Sequence, residues 1–292
     1  MRDYIIMTDS CCDLSQQEVE ELDLTVLPLS FTIEGKTLLN TPDHADMSPE
    51  EFFQKIAAGA DCTTAAVNVG QFTDAMEKVL QEGKDILCVC FSSALSTTYQ
   101  SACIAAEDLR EKYPEAKILV IDSLSASRGQ GMLLYRAVRE RREKNLTIDE
   151  LDAYVRSIIQ SQCHWFIVDD LNHLKRGGRV SSTAALVGTM LGIKPVMHTD
   201  SEGRLTPVSK ARGTKAALRA LVDKVGEIGV EPEKNQPMLI CHANCPESVE
   251  YVKGLLKERF GVTDVRDDFI GPVIGAHTGC GTLGLFFVGT ER

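Results

Sequence analysis

Asp85-Ile86-Leu87-Cys88-Val89-Cys90-Phe91-Ser92-Ser93-Ala94-Leu95-Ser96-Thr97-Thr98 is the stretch on which the fold turns. The apolar run 86–91 is short and bounded by cap and turn residues, the pattern of a buried strand. The run 92–98 has the hydroxyls of a loop feeding a helix N-terminus. Similar strands read out at 4–8 and 117–121. Helices with recognisable starts lie between and after them. Ser15-Gln16-Gln17-Glu18 is a capping box, Ser48-Pro49-Glu50-Glu51 sets a proline at the first helical position, and Thr147-Ile148-Asp149-Glu150 repeats the box. Short apolar strands alternating with longer helices are the sequence form of an α/β fold.

A second series follows, with strands at 163–168, 193–198, 238–242 and 283–288 and helices at 214–228 and 247–260. Ser201-Glu202-Gly203-Arg204 separates two β-type runs as a hairpin turn. There is no Pro/Gly/Ser-rich linker, low-complexity tract or repeat. The helix over 148–162 closes the first series, so the expected organisation is two α/β domains, 1–162 and 163–292, with a ligand cleft between them.

The chain has 292 residues, 43% hydrophobic and 25% charged, a balance that supports a packed core. Its 31 basic against 42 acidic residues give a net charge of −11, which argues against nucleic acid as a partner. The start MRDYIIMTDS lacks a signal-peptide core, and the best apolar stretch, 184–193, is too short to span a bilayer. A cytoplasmic protein is expected. The 10 cysteines fit that expectation, several lying in apolar runs as small hydrophobes.

Small hydroxyl and glycine residues gather where strands end, at Thr8-Asp9-Ser10, Thr63-Thr64, Ser92–Thr98, Asp122-Ser123 and Gly275–Gly281. Uncharged donors at strand ends and helix starts suit a compact anion such as a carboxylate or phosphate, although each alone is also an ordinary cap or turn. Gly279-Cys280-Gly281-Thr282-Leu283-Gly284 matches G-x-G-x-x-G, but no helix follows it, so a dinucleotide site is not expected. Gly35-Lys36-Thr37 lacks the first P-loop glycine and reads as a turn. Cys241-His242-Ala243-Asn244-Cys245 has no second ligand pair, so neither a metal nor a cofactor is expected. Among six histidines, His277 stands out between glycines that let the backbone approach a ligand; the other five read as structural. The clusters Lys175-Arg176-Gly177-Gly178-Arg179 and Lys210-Ala211-Arg212-Gly213 can each present an arginine fork to an anion or remain solvated.

Taken together, eight strings in order resemble the DegV family of bacterial fatty-acid-binding proteins: Thr8–Ser10, Thr64–Phe72, Ser92–Ala102, Val120–Ser123, Leu174–Ser181, Leu191–Pro195, Lys210–Gly213 and Gly275–Gly281. The resemblance implies two α/β domains around one long-chain fatty acid, its tail in an apolar tunnel. It implies that Thr64 and Ser96 hold the carboxylate, that Arg212 and His277 support the head group and phosphotransfer, and that a separate ATP-dependent kinase subunit phosphorylates the acid. The chain itself is then a lipid-binding protein rather than an enzyme. Ser93, Asp9 and Ser10 are candidates for further polar pocket residues. Three places depart from the family pattern: Ala65-Ala66-Val67-Asn68 after Thr64, Thr97 in place of glycine and Cys280 in place of proline. The alternatives are a small-molecule phosphotransferase on a related scaffold, which would need a phosphate loop or paired metal-binding carboxylates, and a lipid-sensing interaction protein.

Overall fold

The computed structural model describes residues 2–181 and 192–292. Strand β1 (Tyr4–Asp9) pairs in parallel with β2 (Leu24–Leu27) on one side and β6 (Asp85–Cys90) on the other, and β7 (Ile118–Asp122) closes a four-stranded sheet. Every residue of β6 is buried because both faces are covered. The period-2 alternation divides it. Ile86, Cys88 and Cys90 face a core containing Phe72 and Met76 of α3 (Val69–Gln81), and Leu87 and Val89 face α5 (Arg128–Lys144) and α6 (Ile148–Ile158). Helix α4 (Thr98–Lys112) packs beside α3.

A second sheet of three antiparallel strands, β4 (Lys36–Asn40), β3 (Leu29–Ile33) and β5 (Cys62–Ala65), carries α2 (Pro49–Ala57) against it through Phe31, Phe52 and Phe53. The third sheet has the order β10 (Leu205–Arg212), β9 (Ile193–Thr199), β8 (Gln162–Ile167), β13 (Leu283–Val288), β11 (Met238–His242), β12 (Val265–Phe269). It is antiparallel except for the β11–β12 pair. Helices α8 (Thr214–Ile228) and α9 (Pro246–Phe260) bury one of its faces. Shorter helices complete the described chain: α1 (Gln16–Leu22), α7 (Leu171–Arg176) and α10 (Pro272–Thr278).

The capping boxes at Ser15 and Thr147 form, and Ser48 caps α2 with Pro49 in its first turn. The turn at Asp200–Arg204 joins β9 to β10, and Glu34-Gly35 turns β3 into β4. The apolar stretch 184–193 lies outside the described residues up to Leu191, as does the start of the string Leu191–Pro195. Among the described residues no helix is long and apolar enough to cross a membrane.

Helix α5 packs between the parallel sheet and the six-stranded one, touching β8, β11 and β13. At its start Ser127 donates to Asp13 Oδ2, and Asp13 Oδ1 accepts from the Gly271 N–H at 3.1 Å, tying the first sheet's loop to the start of α10. Arg128, fully buried, makes a two-pronged ion pair with Glu18. The Ser92 hydroxyl donates to the Gly203 carbonyl at 2.9 Å, so the β9–β10 turn docks on the loop after β6.

Candidate ligand-binding site

Between the parallel sheet and the six-stranded one lies a cavity of about 510 Å³, within the range of small-molecule sites. Much of its wall is apolar: Phe91, Phe166, Leu205, Ile270, Val273 and Ile274 face it. The polar lining gathers where three loops meet.

Thr64 sits on β5 opposite Phe31 of β3, so its side chain shares the core-facing side of the small sheet. Its hydroxyl lies 2.9 Å from His277 Nε2 at the end of α10. His277 is held close to this loop by the lack of a side chain at Gly177, where a Cβ would fall 2.2 Å from Nδ1. Burial, with the Arg179 guanidinium adding to it, pushes the imidazole down from its ordinary 6.5 to about 4, so it is neutral at physiological pH. Arg179 Nε donates to the Leu95 carbonyl at 3.2 Å and its Nη1 to the Gly177 carbonyl, which binds the loop beside His277 to the loop carrying Ser96. No described residue supplies Arg179 with a carboxylate, and the described lining contains none.

Ser96 closes the ring of groups. Its Oγ accepts from the Thr98 N–H at 3.2 Å and meets Thr98 Oγ1 at 2.9 Å, capping α4 from one residue upstream of the usual position. The first turn of a fifteen-residue helix therefore points at the cavity, where Thr97 and Gln100 also face in. Unsatisfied N–H groups there favour an anion. Thr64, His277, Arg179 and Ser96, distant in the chain, thus form one anion-receptive cluster beside an apolar hollow.

The other candidate residues are placed differently. Ser93 lines the cavity, with its N–H bonded to Asp122 Oδ1 at 3.1 Å. Asp9 and Ser10 lie beneath the wall instead of on it, because both are consumed by backbone donors. Asp9 accepts from Phe91 N at 2.7 Å and Cys11 N at 3.0 Å, and Ser10 Oγ accepts from Leu29 N at 3.0 Å. They position the lining residues Phe91 and Leu29 rather than a ligand. Burial raises the Asp9 carboxyl to about 6. Arg212 is exposed at the end of β10 and off the cavity, so the arginine beside His277 is Arg179, from the other basic cluster. A second histidine, His164, also lines the wall, but its Nδ1 lies 2.8 Å from Thr199 Oγ1 and burial holds it neutral. Sequence reasoning missed the aliphatic wall on Ile270–Ile274, whose signal is the apolar spacing after Gly271.

Comparison with known proteins agrees over nearly the whole chain. The DegV family model, described as one of uncharacterised proteins, matches residues 4–290. The DegV domain-containing protein CPE0026 of Clostridium perfringens is 40% identical over 292 residues, spanning 100% of this chain and 99% of its own. A DegV family protein from Thermus thermophilus, described for its fatty acid binding, superposes with a TM-score of 0.86 at 29% identity, covering 99% and 100% of the two chains. A stearic-acid-binding protein from Eubacterium ventriosum gives 0.83 at 26% identity over 98% of each.

Proposed function

The chain belongs to the DegV family, and on that premise we propose that it binds one long-chain fatty acid in the 510 Å³ cavity and presents the carboxyl group to a separate ATP-dependent kinase subunit. The observation that supports this most is the Thr64–His277 pair set beside Ser96, Arg179 and an apolar wall. A sixteen-carbon acid buries about fifteen methylene or methyl groups at roughly 0.8 kcal/mol each, on the order of 12 kcal/mol before entropic and desolvation losses. Tail burial then dominates affinity, and the head-group cluster sets orientation.

Chemically, a neutral His277 with its proton on Nε2 donates to Thr64 Oγ1 and leaves the Thr64 hydroxyl hydrogen free for an incoming carboxylate. Ser96 and the α4 N-terminus receive the other oxygen, and Arg179 supplies the countercharge that hydroxyls alone lack. Arg212, exposed on β10, belongs in this reading to the surface met by the kinase subunit. The same reading divides the chain into domains 1–162 and 163–292, supported to within one residue by the six-stranded sheet, whose first strand begins at Gln162, and makes the protein cytoplasmic.

Mass spectrometry of lipids extracted from the purified protein should find a long-chain acid. Thr64→Ala and Ser96→Ala should each weaken its binding by about 1–2 kcal/mol, the range for losing a hydrogen bond to a charged group. Unchanged affinity in the double variant would refute the head-group assignment. With the kinase subunit, His277→Ala and Arg212→Ala should reduce acyl phosphate formation more than acid binding; the opposite order would overturn their roles.

A further inference from the structure

Farther along α5 than the fatty-acid cavity lies a second one, of about 370 Å³, between this helix, the strand β11 and the segment Asn235–Pro237. Its floor is apolar, with Leu22, Met132, Val138, Leu239 and Val288. Its rim carries Arg136, Arg139, Arg142 and Arg266 against one carboxylate, Glu143, a local excess of three positive charges in a chain whose net charge is −11.

Three of these arginines lack an acidic partner among the described residues. Arg139 is exposed and makes no hydrogen bond or ion pair with any described residue. Arg142 Nη2 reaches only the Glu21 carbonyl at 2.8 Å, and Arg136 Nη1 is bonded to the neutral groups Ser161 Oγ and Gln162 Oε1. Arg266 alone is met by acids, at 3.9 Å from Glu21 and 3.6 Å from Asp264, and lies over the Tyr135 ring. Positions 136, 139 and 142 follow one another at i, i+3, i+6 on one face of α5, where like charges repel. The favourable field at a helix C-terminus accounts for Arg142 in the last turn but not for Arg136 or Arg139.

We propose that this cavity is a binding site for a phosphate monoester carrying an apolar or planar group. The phosphate dianion meets the open fork of Arg139 and the remaining N–H groups of Arg136 and Arg142, whose planar geometry matches phosphate oxygens, and the attached group lies on Met132 and Leu239. A lipid phosphate and a nucleotide share this chemistry. Octyl phosphate and AMP, titrated separately into the full chain by calorimetry, distinguish them, and octanoate serves as the carboxylate control. At least one of the two phosphates should bind, inorganic phosphate should compete with it, and added salt should weaken it. Octyl phosphate alone identifies a lipid source and AMP alone a nucleotide. Arg139→Ala/Arg142→Ala should lower that affinity by at least about tenfold, and Arg139→Glu should lower it further, while binding of a long-chain acid by either variant reports that the fold is intact. The proposal falls if neither phosphate binds, if both arginine variants bind as the unaltered chain does, if octanoate binds equally through the same arginines, or if palmitate displaces octyl phosphate and so places it in the first cavity.

Discussion

A methyl group at position 177 has nowhere to go while His277 keeps its place. It would fall 2.2 Å from Nδ1 and 3.0 Å from Cε1, far inside van der Waals contact, and the imidazole is the side that can yield. Yielding breaks the 2.9 Å contact with Thr64, so Gly177→Ala should act on the proposed head-group cluster rather than on the core. The expected outcome is weaker long-chain acid binding by about 1–2 kcal/mol, with no further loss when the substitution is added to His277→Ala. Such non-additivity marks groups that act through one another. Full additivity in the double-mutant cycle would show that Gly177 serves something other than His277. His277 was legible from its glycine-flanked string, and Arg179 was visible as one arginine in a basic cluster. What the string did not contain was the fold that brings 64, 96, 179 and 277 together, because none of these residues is near another in sequence. Asp9 and Ser10 misled for a related reason: a hydroxyl or carboxylate at a strand end is equally suited to a ligand and to a neighbouring backbone N–H, and here Phe91 and Leu29 take them.

At the scale of elements, β1, β6 and β7 of the parallel sheet stood out because burial writes a nearly unbroken apolar run, whereas the half-exposed edge strand β2 did not, and α1, α2 and α6 stood out because their caps are local chemistry. The small sheet left a weaker mark. Leu29–Ile33 alternates buried and half-buried residues, a five-residue pattern easily absorbed into a loop, and β5 has only four residues. Helix α10 was hidden by its composition, since a seven-residue segment containing glycine and proline has little intrinsic helical preference. It is held instead by packing. Gly275 presses against α2 so closely that a Cβ would stand 2.8 Å from the Phe52 ring and 2.9 Å from the Phe53 ring, both buried and locked in edge-on contact. Gly275→Ala should therefore lift α10 and destabilise the protein by about 1–3 kcal/mol, the usual range for overpacking. Because Val273, Ile274 and His277 ride on the same helix, acid affinity should fall with it. Urea unfolding checks the first effect and acid titration the second; a stable variant with intact binding would mean that α2 moves aside instead.

For the molecule as a whole, the group that joins its parts is a buried carboxyl. Asp13 belongs to the loop after β1, yet its oxygens accept from Ser127 at the head of α5 and from Gly271 at the head of α10. Burial raises it from 3.8 to about 7 against the lowering effects of Ser127, Gly271 and Arg128. Between those two values the folded chain holds a proton that the unfolded chain has released. The stability this contributes is complete below about 3.8 and disappears as pH rises through about 7. Asparagine at 13 has nearly the shape of the protonated acid but does not titrate. Its loss of the Ser127 donor geometry is a penalty independent of pH. The stability of Asp13→Asn relative to the unaltered protein should consequently improve as pH increases from 5 to 8, by about 3 kcal/mol at 1.36 kcal/mol per pH unit up to the folded value. His277, displaced the other way, and every other titrating group common to both proteins cancel in the difference. Paired urea titrations at the two pH values measure it. A difference that stays constant with pH would mean that Asp13 is already ionised in the fold, and that its links to α5 and α10 are those of a carboxylate throughout.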